Sequence, residues 1–218
     1  MSSPSVEDYI KAIYNAQSSS ENVSTQDVAA RLHVSSAAVS KMIKRLIELR
    51  LITHRPYHGV GLTEAGEKMA LEIIRHHRLL EVYLMQALGY EWDEVHQEAE
   101  RLEHHISEAF EDRIDALLGH PTNCPHGDPI PTREGILAPP TDHPLAEQRP
   151  ATHLRIRRVR DEDAELLRYL KQVGLLPGTA IEFLAQEPFD GAFLLRIGEE
   201  IVRVAPKVAQ QIFVTAES

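Results

Sequence analysis

A chain of 218 residues has room for one large domain or two to three small ones, and 43% hydrophobic with 26% charged residues is ordinary for a soluble globular protein. Its single cysteine, Cys124, excludes an intramolecular disulfide and fits a reducing compartment. There is no apolar run of about 18 residues and no charged-then-apolar leader, so a cytoplasmic protein with no membrane partner is expected.

A net charge of −10 argues superficially against a nucleic-acid partner, because attraction to phosphates dominates DNA affinity. The distribution says otherwise. Between Thr25 and Val60, six basic residues (Arg31, Lys41, Lys44, Arg45, Arg50, Arg55) face two acidic ones (Asp27, Glu48), a balance of +4. Between Glu91 and His120, ten acidic residues face two arginines, a balance of −8. A basic stretch suited to DNA is joined to an acidic one suited to metal cations.

In chain order, Ser5–Gln17 reads as a helix, with Val6, Tyr9, Ile10, Ile13 and Tyr14 at helical spacing. Ser24–Leu32 opens with a Ser-x-x-Asp capping box and ends at the break HVSS. Ser36–Arg50 sets Val39, Met42, Ile43, Leu46, Ile47 and Leu49 towards one side and Ser40, Lys41, Lys44 and Arg45 largely on another. LITHRPYHGVGLT then alternates and turns at His58-Gly59, as a two-strand wing would. Two helices across a short turn, the second polar and basic, make a helix-turn-helix; the hairpin makes it winged.

Two long helices are expected next, Thr63 to about Leu88 and about Trp92 to Leu118, with a break at Gly89-Tyr90. Their apolar stripes (Leu79, Leu80, Val82, Tyr83, Leu84, Leu88; Leu102, Ile106, Phe110, Ile114, Leu117, Leu118) are too large for one helix pair to hide, which predicts a homodimer. Eight of the thirteen prolines lie between His120 and Pro150, the composition of an extended connector. THLRIRRV, AIEFLAQ, AFLLRI, EEIVRVA and QIFVT then read as short strands around one helix (Asp161–Val173), a small barrel-like β domain. The expected fold is mainly α with this β domain: a winged helix-turn-helix in residues 1–73, a helical metal-binding and dimerisation region in 74–140, a Pro-rich linker in 141–151 and a β domain in 152–218.

The stretch HQEAERLEHHISE carries the chemistry. On a helix turning about 100° per residue, His96, Glu100, Glu103 and His104 fit one sector of about 100°, and neighbouring carboxylates repel unless a cation lies between them. Carboxylate plus imidazole suits Mn²⁺, Fe²⁺ or Zn²⁺; the plainer reading is a solvated acidic face paired with Arg101. His77 and Glu81, at i and i+4, are by themselves a routine helical ion pair, yet antiparallel packing would set them beside His96. Asp8 completes a Ser5-x-x-Asp8 capping box and needs no other role. Cys124-Pro-His126 offers a soft ligand pair but in a Pro-rich loop reads first as a turn.

Taken in order, SVEDYIKAIY, VSKMIKRL, LTEAGEKMA, RHHRLLE, VHQEAERLEHHIS and CPHGDPIP resemble the metal-dependent repressors of the diphtheria-toxin-repressor and manganese-transport-regulator family, and the C-terminal region resembles the SH3-like, or ferrous-transport-A-like, barrel of its longer members. The resemblance implies a primary metal site at Asp8, Glu100, Glu103 and His104 and an ancillary site at His77, Glu81 and His96. It places Ser35, Ala37, Ser40 and Lys41 where the recognition helix meets the major groove; Thr25, Gln26, Ser36, Lys44, Arg45 and Arg55 complete the expected DNA contacts. Iron-type members place methionine and cysteine where this chain has Asp8 and Glu100, so the resemblance points to the manganese branch. Mn²⁺ is the expected co-repressor and Fe²⁺ the alternative, with Zn²⁺, Co²⁺ or Cd²⁺ as substitutes in vitro.

Two positions depart from the pattern. The manganese regulators have a glutamate where Lys11 stands, which implies one ion in the primary site rather than a close pair. The iron-type ancillary site takes a glutamate and a glutamine from the SH3-like domain, where this chain offers Arg155 and Arg158, so other residues complete that site or the domain does not cap it. The mechanism implied is a cation joining Asp8 of the DNA-binding module to the dimer module, spacing two recognition helices for a palindromic operator with half-sites about 34 Å apart. A di-metal oxidase competes weakly, since neither long helix contains Glu-x-x-His. A winged-helix regulator indifferent to metals is the third reading.

Overall fold

The computed structural model describes residues 5–17, 22–55, 59–189 and 191–217, the side chains of His54 and Arg55 excepted. It divides into two compact units, Met1–His76 with Pro131–Leu137, and His77–Ile130 with Ala138–Ser218.

In the first unit, α1 (Val6–Gln17) buries Tyr9, Ile10 and Ile13 against α2 (Thr25–Leu32) and α3 (Ser36–Glu48). Ser24 caps α2 with the full capping box: its hydroxyl accepts from Asp27 N–H at 3.2 Å, and Asp27 accepts from Ser24 N–H at 2.9 Å. His33, in the left-handed conformation at φ 52°, ends α2, and Ser35 starts α3 by accepting from Ala38 N–H. These opposed caps, His33 and Ser35, two residues apart, are what make the helix-turn-helix corner. Val39 and Leu46 anchor α3 in a core shared with Val28, Ile52 and Val60.

The wing is the antiparallel pair β1 (Ile52–Arg55) and β2 (Gly59–Leu62); its tip, including the expected turn at His58, lies outside the described residues. A Cβ on Gly59 would stand 2.0 Å from Val23 O, so only glycine permits the bridge from β2 to Val23.

The helix α4 (Glu64–Leu88) passes through the division between the units. In the second unit its C-terminal half packs Leu79, Leu80, Val82 and Leu84 around Val95, Ala99 and Ile114. The expected long helix after Trp92 is two helices, α5 (Val95–Leu102) and α6 (Glu108–Leu117). The break has a local cause: Ser107, extended at ψ 156°, caps α6 by accepting from Phe110 N–H, with Glu108 and Glu111 in the first turn.

The Pro-rich stretch is not a plain connector. Cys124 and His126 are buried, Ile130 joins the helical core, and Leu145 is fully buried in the C-terminal domain. That domain is a six-stranded antiparallel sheet: β3 (His143–Pro144), β4 (Thr152–Val159), β5 (Ala180–Gln186), β6 (Phe193–Ile197), β7 (Glu200–Val204) and β8 (Ile212–Ala216), in the order β3-β8-β4-β5-β6-β7. The two edges, β3 and β7, do not pair among the described residues, so the expected barrel is an open sheet. One edge strand is two residues long and ends in proline, which has no N–H to donate. The helix α7 (Ala164–Gln172) starts from the Asp163 cap and buries Leu167 and Leu170 on the sheet; the short α8 (Pro206–Ala209) adds Ala209. Trp92, from the turn before α5, is buried in this same core.

Candidate metal centre

Within the second unit, α4 contributes His77 and Glu81 one turn apart, and α5 brings His96 to them. His77 Nε2 lies 3.1 Å from Glu81 Oε1 and 3.1 Å from His96 Nδ1, while His96 Nδ1 is 3.4 Å from Glu81 Oε1. The three expected ancillary residues are therefore one cluster. Two groups missing from the expected set complete it. Asp161, just after β4, reaches within 3.4 Å of His96 Nδ1, and His126 Nδ1 lies 3.4 Å from Glu81 Oε1. Neither Arg155 nor Arg158 takes part: Arg155 pairs with Glu217, and Arg158 forks onto Asp142 and stacks on Phe213.

Cys124-Pro-His126, which the sequence presents first as a turn, is both a turn and part of the same side-chain cluster. Gly127, at φ +94°, allows the loop to press on β4, since a Cβ there would be 2.0 Å from Arg157 O. Val159 N–H donates to His126 O, and Asp128 is held between Arg78 and Arg158, each 3.6 Å away. His126 Nε2 donates to Trp92 O at 3.0 Å inside the protein, which leaves Nδ1 aimed at the cluster.

Whether these residues fit a cation is tested by what remains unsatisfied. Glu81 is fully buried, yet among the described residues Glu81 Oε2 and His126 Nδ1 have no hydrogen-bond partner, although His126 Nδ1 lies 3.4 Å from Glu81 Oε1. A buried unpaired carboxylate oxygen costs roughly 1–3 kcal/mol or more, and a divalent cation is what both atoms would accept. One ligand atom from each of His77, Glu81, His96 and Asp161 can be chosen with all within 4.8 Å of one another, and the same holds for Glu81, Cys124 and His126. Imidazole, carboxylate and thiol together suit a first-row transition metal.

Without a cation, protons balance the charge. Burial alone would depress His96, but Asp161 and Glu81 more than offset it and hold its pKa up at about 10. Burial likewise works against the charged form of Asp161, yet the hydrogen bond from His96 and the nearby imidazoles hold it down at about 2. Glu81 is also held well below the usual carboxylate range against its own burial, by His77, His126 and His96. His126 is raised despite burial, by Glu81 and Asp161. Burial, with Glu81, Asp128 and Asp161 nearby, pushes the Cys124 thiol well up.

Three of the four residues of the expected primary site lie on and beyond the end of α5. Glu100 is in its last turn, Glu103 is the C-cap and His104 is in the turn that follows. Glu103 is buried, with Oε1 3.4 Å from His104 Nε2 and Oε2 2.6 Å from His77 Nδ1; Glu100 Oε1 is 3.8 Å from that same nitrogen. Asp8 belongs to the first unit, where it closes the expected cap by accepting from Ser5 N–H at 2.5 Å.

On α3, Ser35, Ser36, Ala37, Ser40, Lys41, Lys44 and Arg45 are all exposed, opposite the buried Val39 and Leu46. Gln26 is exposed and Thr25 half-buried at the start of α2; the side chain of Arg55 is outside the described set.

Comparison with known proteins agrees along the chain. Residues 1–60 match the iron-dependent-repressor N-terminal DNA-binding domain, residues 63–132 its metal-binding and dimerisation domain, and residues 143–216 the FeoA domain. The iron-dependent repressor IdeR of Mycobacterium leprae (strain TN) is 28% identical over 216 residues, covering 94% of each chain. The HTH-type transcriptional regulator MntR of Bacillus subtilis (strain 168) is 32% identical over 118 residues, which is 54% of this chain and 82% of MntR. A manganese-dependent transcriptional repressor solved in complex with manganese superposes with a TM-score of 0.92 at 38% identity, covering 98% of this chain and all of that one. The chain belongs to the diphtheria-toxin-repressor and manganese-transport-regulator family, whose members are metal-dependent, DNA-binding transcriptional repressors.

Proposed function

We propose that this repressor answers to manganese through two sites per chain. The observation that carries the reading is the pair of buried, unpartnered atoms, Glu81 Oε2 and His126 Nδ1, within a ring of further imidazoles and carboxylates. His77, Glu81, His96, His126 and Asp161, with Cys124 at the edge, would hold the ancillary ion; Asp8, Glu100, Glu103 and His104 would hold the primary one. A divalent cation supplies the positive charge that offsets these clustered carboxylates. Lys11, one helical turn after Asp8 in the sequence, keeps the primary site to a single ion.

Asp8 belongs to the DNA-binding module and Glu100, Glu103 and His104 to the dimer module, so a ligand set drawn from all four residues links the two modules. The exposed face of α3 (Ser35, Ser36, Ala37, Ser40, Lys41, Lys44, Arg45), with Thr25, Gln26 and Arg55, reads a palindromic operator from a homodimer whose surface includes the exposed Met85, Leu88, Phe110 and Leu117. Moving an inactive population from 1:99 to 99:1 takes about 5.5 kcal/mol of differential affinity. The setting is the cytoplasm; among the described residues no helix is long and apolar enough to cross a membrane. Iron is the second reading, favoured by the buried Cys124 thiol beside Glu81 and His126, a softer donor than the primary site offers.

The test is a fluorescence-anisotropy titration of chelator-stripped protein on promoter DNA from metal-transporter genes of its own genome. Mn²⁺, anaerobic Fe²⁺, Zn²⁺ or no metal is added, with Glu103→Ala as the control. Binding that appears with Mn²⁺ and is lost in the variant is the expected result. Activation by Fe²⁺ alone assigns iron, and equal binding in chelator refutes the metal switch.

A further inference from the structure

His77 stands between two sets of ligands, and each of its ring nitrogens faces a different one. Nε2 is 3.1 Å from both Glu81 Oε1 and His96 Nδ1, inside the ancillary cluster. Nδ1 is 2.6 Å from Glu103 Oε2, the oxygen of a carboxylate whose other oxygen faces His104. His77 is 4% exposed and Glu103 1%, so bulk water cannot stand in for either partner.

We propose that His77 serves both metal sites at once: Nε2 is a ligand in the ancillary site, and Nδ1–H orients Glu103 for the primary one. The inference rests on the two-site reading above and deepens it. A neutral imidazole carries one proton. Ligation through Nε2 places that proton on Nδ1, where Glu103 Oε2 is the near acceptor. Glu103 is then held with Oε1 towards His104, the direction a primary-site ligand must present. His77 is thus a ligand in one site and a positioning residue in the other, in the carboxylate–imidazole–metal arrangement that fixes a ring's tautomer and tunes its basicity. The rival arrangement puts a primary-site ion on Nδ1 together with Glu100 and Glu103. It would leave the proton on Nε2, remove His77 from the ancillary set, and spend the nitrogen on Glu100, which is 3.8 Å away against 2.6 Å for Glu103.

The two arrangements separate by NMR of full-length protein carrying ¹⁵N-histidine and loaded with ¹¹³Cd²⁺. Glu100→Gln assigns the primary resonance and Asp161→Asn the ancillary one. Cadmium coupling to His77 Nε2, with a protected proton on Nδ1, is expected; coupling to Nδ1 overturns the proposal. Two variants then test positioning by Mn²⁺ titration with EPR detection. His77→Asn places an amide N–H near the Nδ1 position and should keep primary-site affinity while the ancillary site weakens. His77→Gln, whose amide lies near the Nε2 position, removes the Nδ1 donor from Glu103 and should weaken the primary site by roughly 10–100-fold. Equal loss of primary affinity in both variants overturns the proposal. Fewer than two cadmium resonances in the unaltered protein would instead overturn the two-site reading, and the role of His77 with it.

Discussion

Raising the pH should tighten the ancillary site steeply, because protons occupy it when metal does not. His96 is held at about 10, some three units above neutrality. At pH 7 a metal ion must therefore displace a proton bound with a free energy of about 4 kcal/mol, taking about 1.4 kcal/mol per unit. Each further unit towards pH 10 returns about 1.4 kcal/mol, a tenfold gain in apparent affinity per proton released. His126 is also raised, so the slope should lie between one and two protons wherever both imidazoles are charged. The assay is anaerobic Mn²⁺ titration at pH 6.5, 7.5 and 8.5 with EPR of the free ion, in a Glu100→Gln background that silences the primary site. Affinity unchanged across those two units would refute the account of His96 as a proton held by Asp161 and Glu81. Stability of the chelated protein should run the other way. The contribution of the raised His96 is fully present below about 6.5 and is lost as pH rises through about 10; that of the depressed Asp161 is present above 3.8 and lost as pH falls through about 2.

Gly127→Ala should push the 124–128 turn off β4, because the new Cβ would meet Arg157 O at 2.0 Å. We expect about 1–3 kcal/mol of strain and at least a tenfold weaker ancillary site by calorimetry; unchanged affinity would mean that the turn does not position His126. Ser24→Ala removes the hydroxyl half of the α2 capping box, leaving the backbone N–H on Asp27, and should cost about 1 kcal/mol, or a melting temperature lower by roughly 2–4 °C, with ancillary-site affinity unaltered. Stability equal to that of the unaltered protein would show that the cap contributes nothing.

What could be read from the chain were the features written locally. Hydrophobic spacing located α1, α3 and α4, and the five longer strands, because a helix or strand with one buried face repeats its apolar residues at a set period, while the Ser24 box and the HVSS break bounded α2. The Ser24 and Ser5 caps were legible for the same reason, their partners being three residues away. A further local signal is Ser107 before Glu-Ala-Phe, an N-cap that divides the acidic stretch into α5 and α6. Pairing at a distance followed another logic. His77, Glu81 and His96 were within reach because two helices joined by a short turn pack antiparallel.

Asp161 had no such signature, since an acidic residue before a helix reads first as a cap, and the cap is in fact Asp163. In the sequence His126 has only the signature of a turn; its place in the cluster comes from Nε2 bonding to Trp92 O, which leaves Nδ1 to face Glu81. Whether the β-domain sheet closes also depended on how its two edge strands are placed, which no strand's own residues specify. The sequence by itself determined the elements, the family and most ligand types. Only the tertiary structure decided which ligands meet, because burial strips water from Glu81 and His126 and makes their distant partners compulsory.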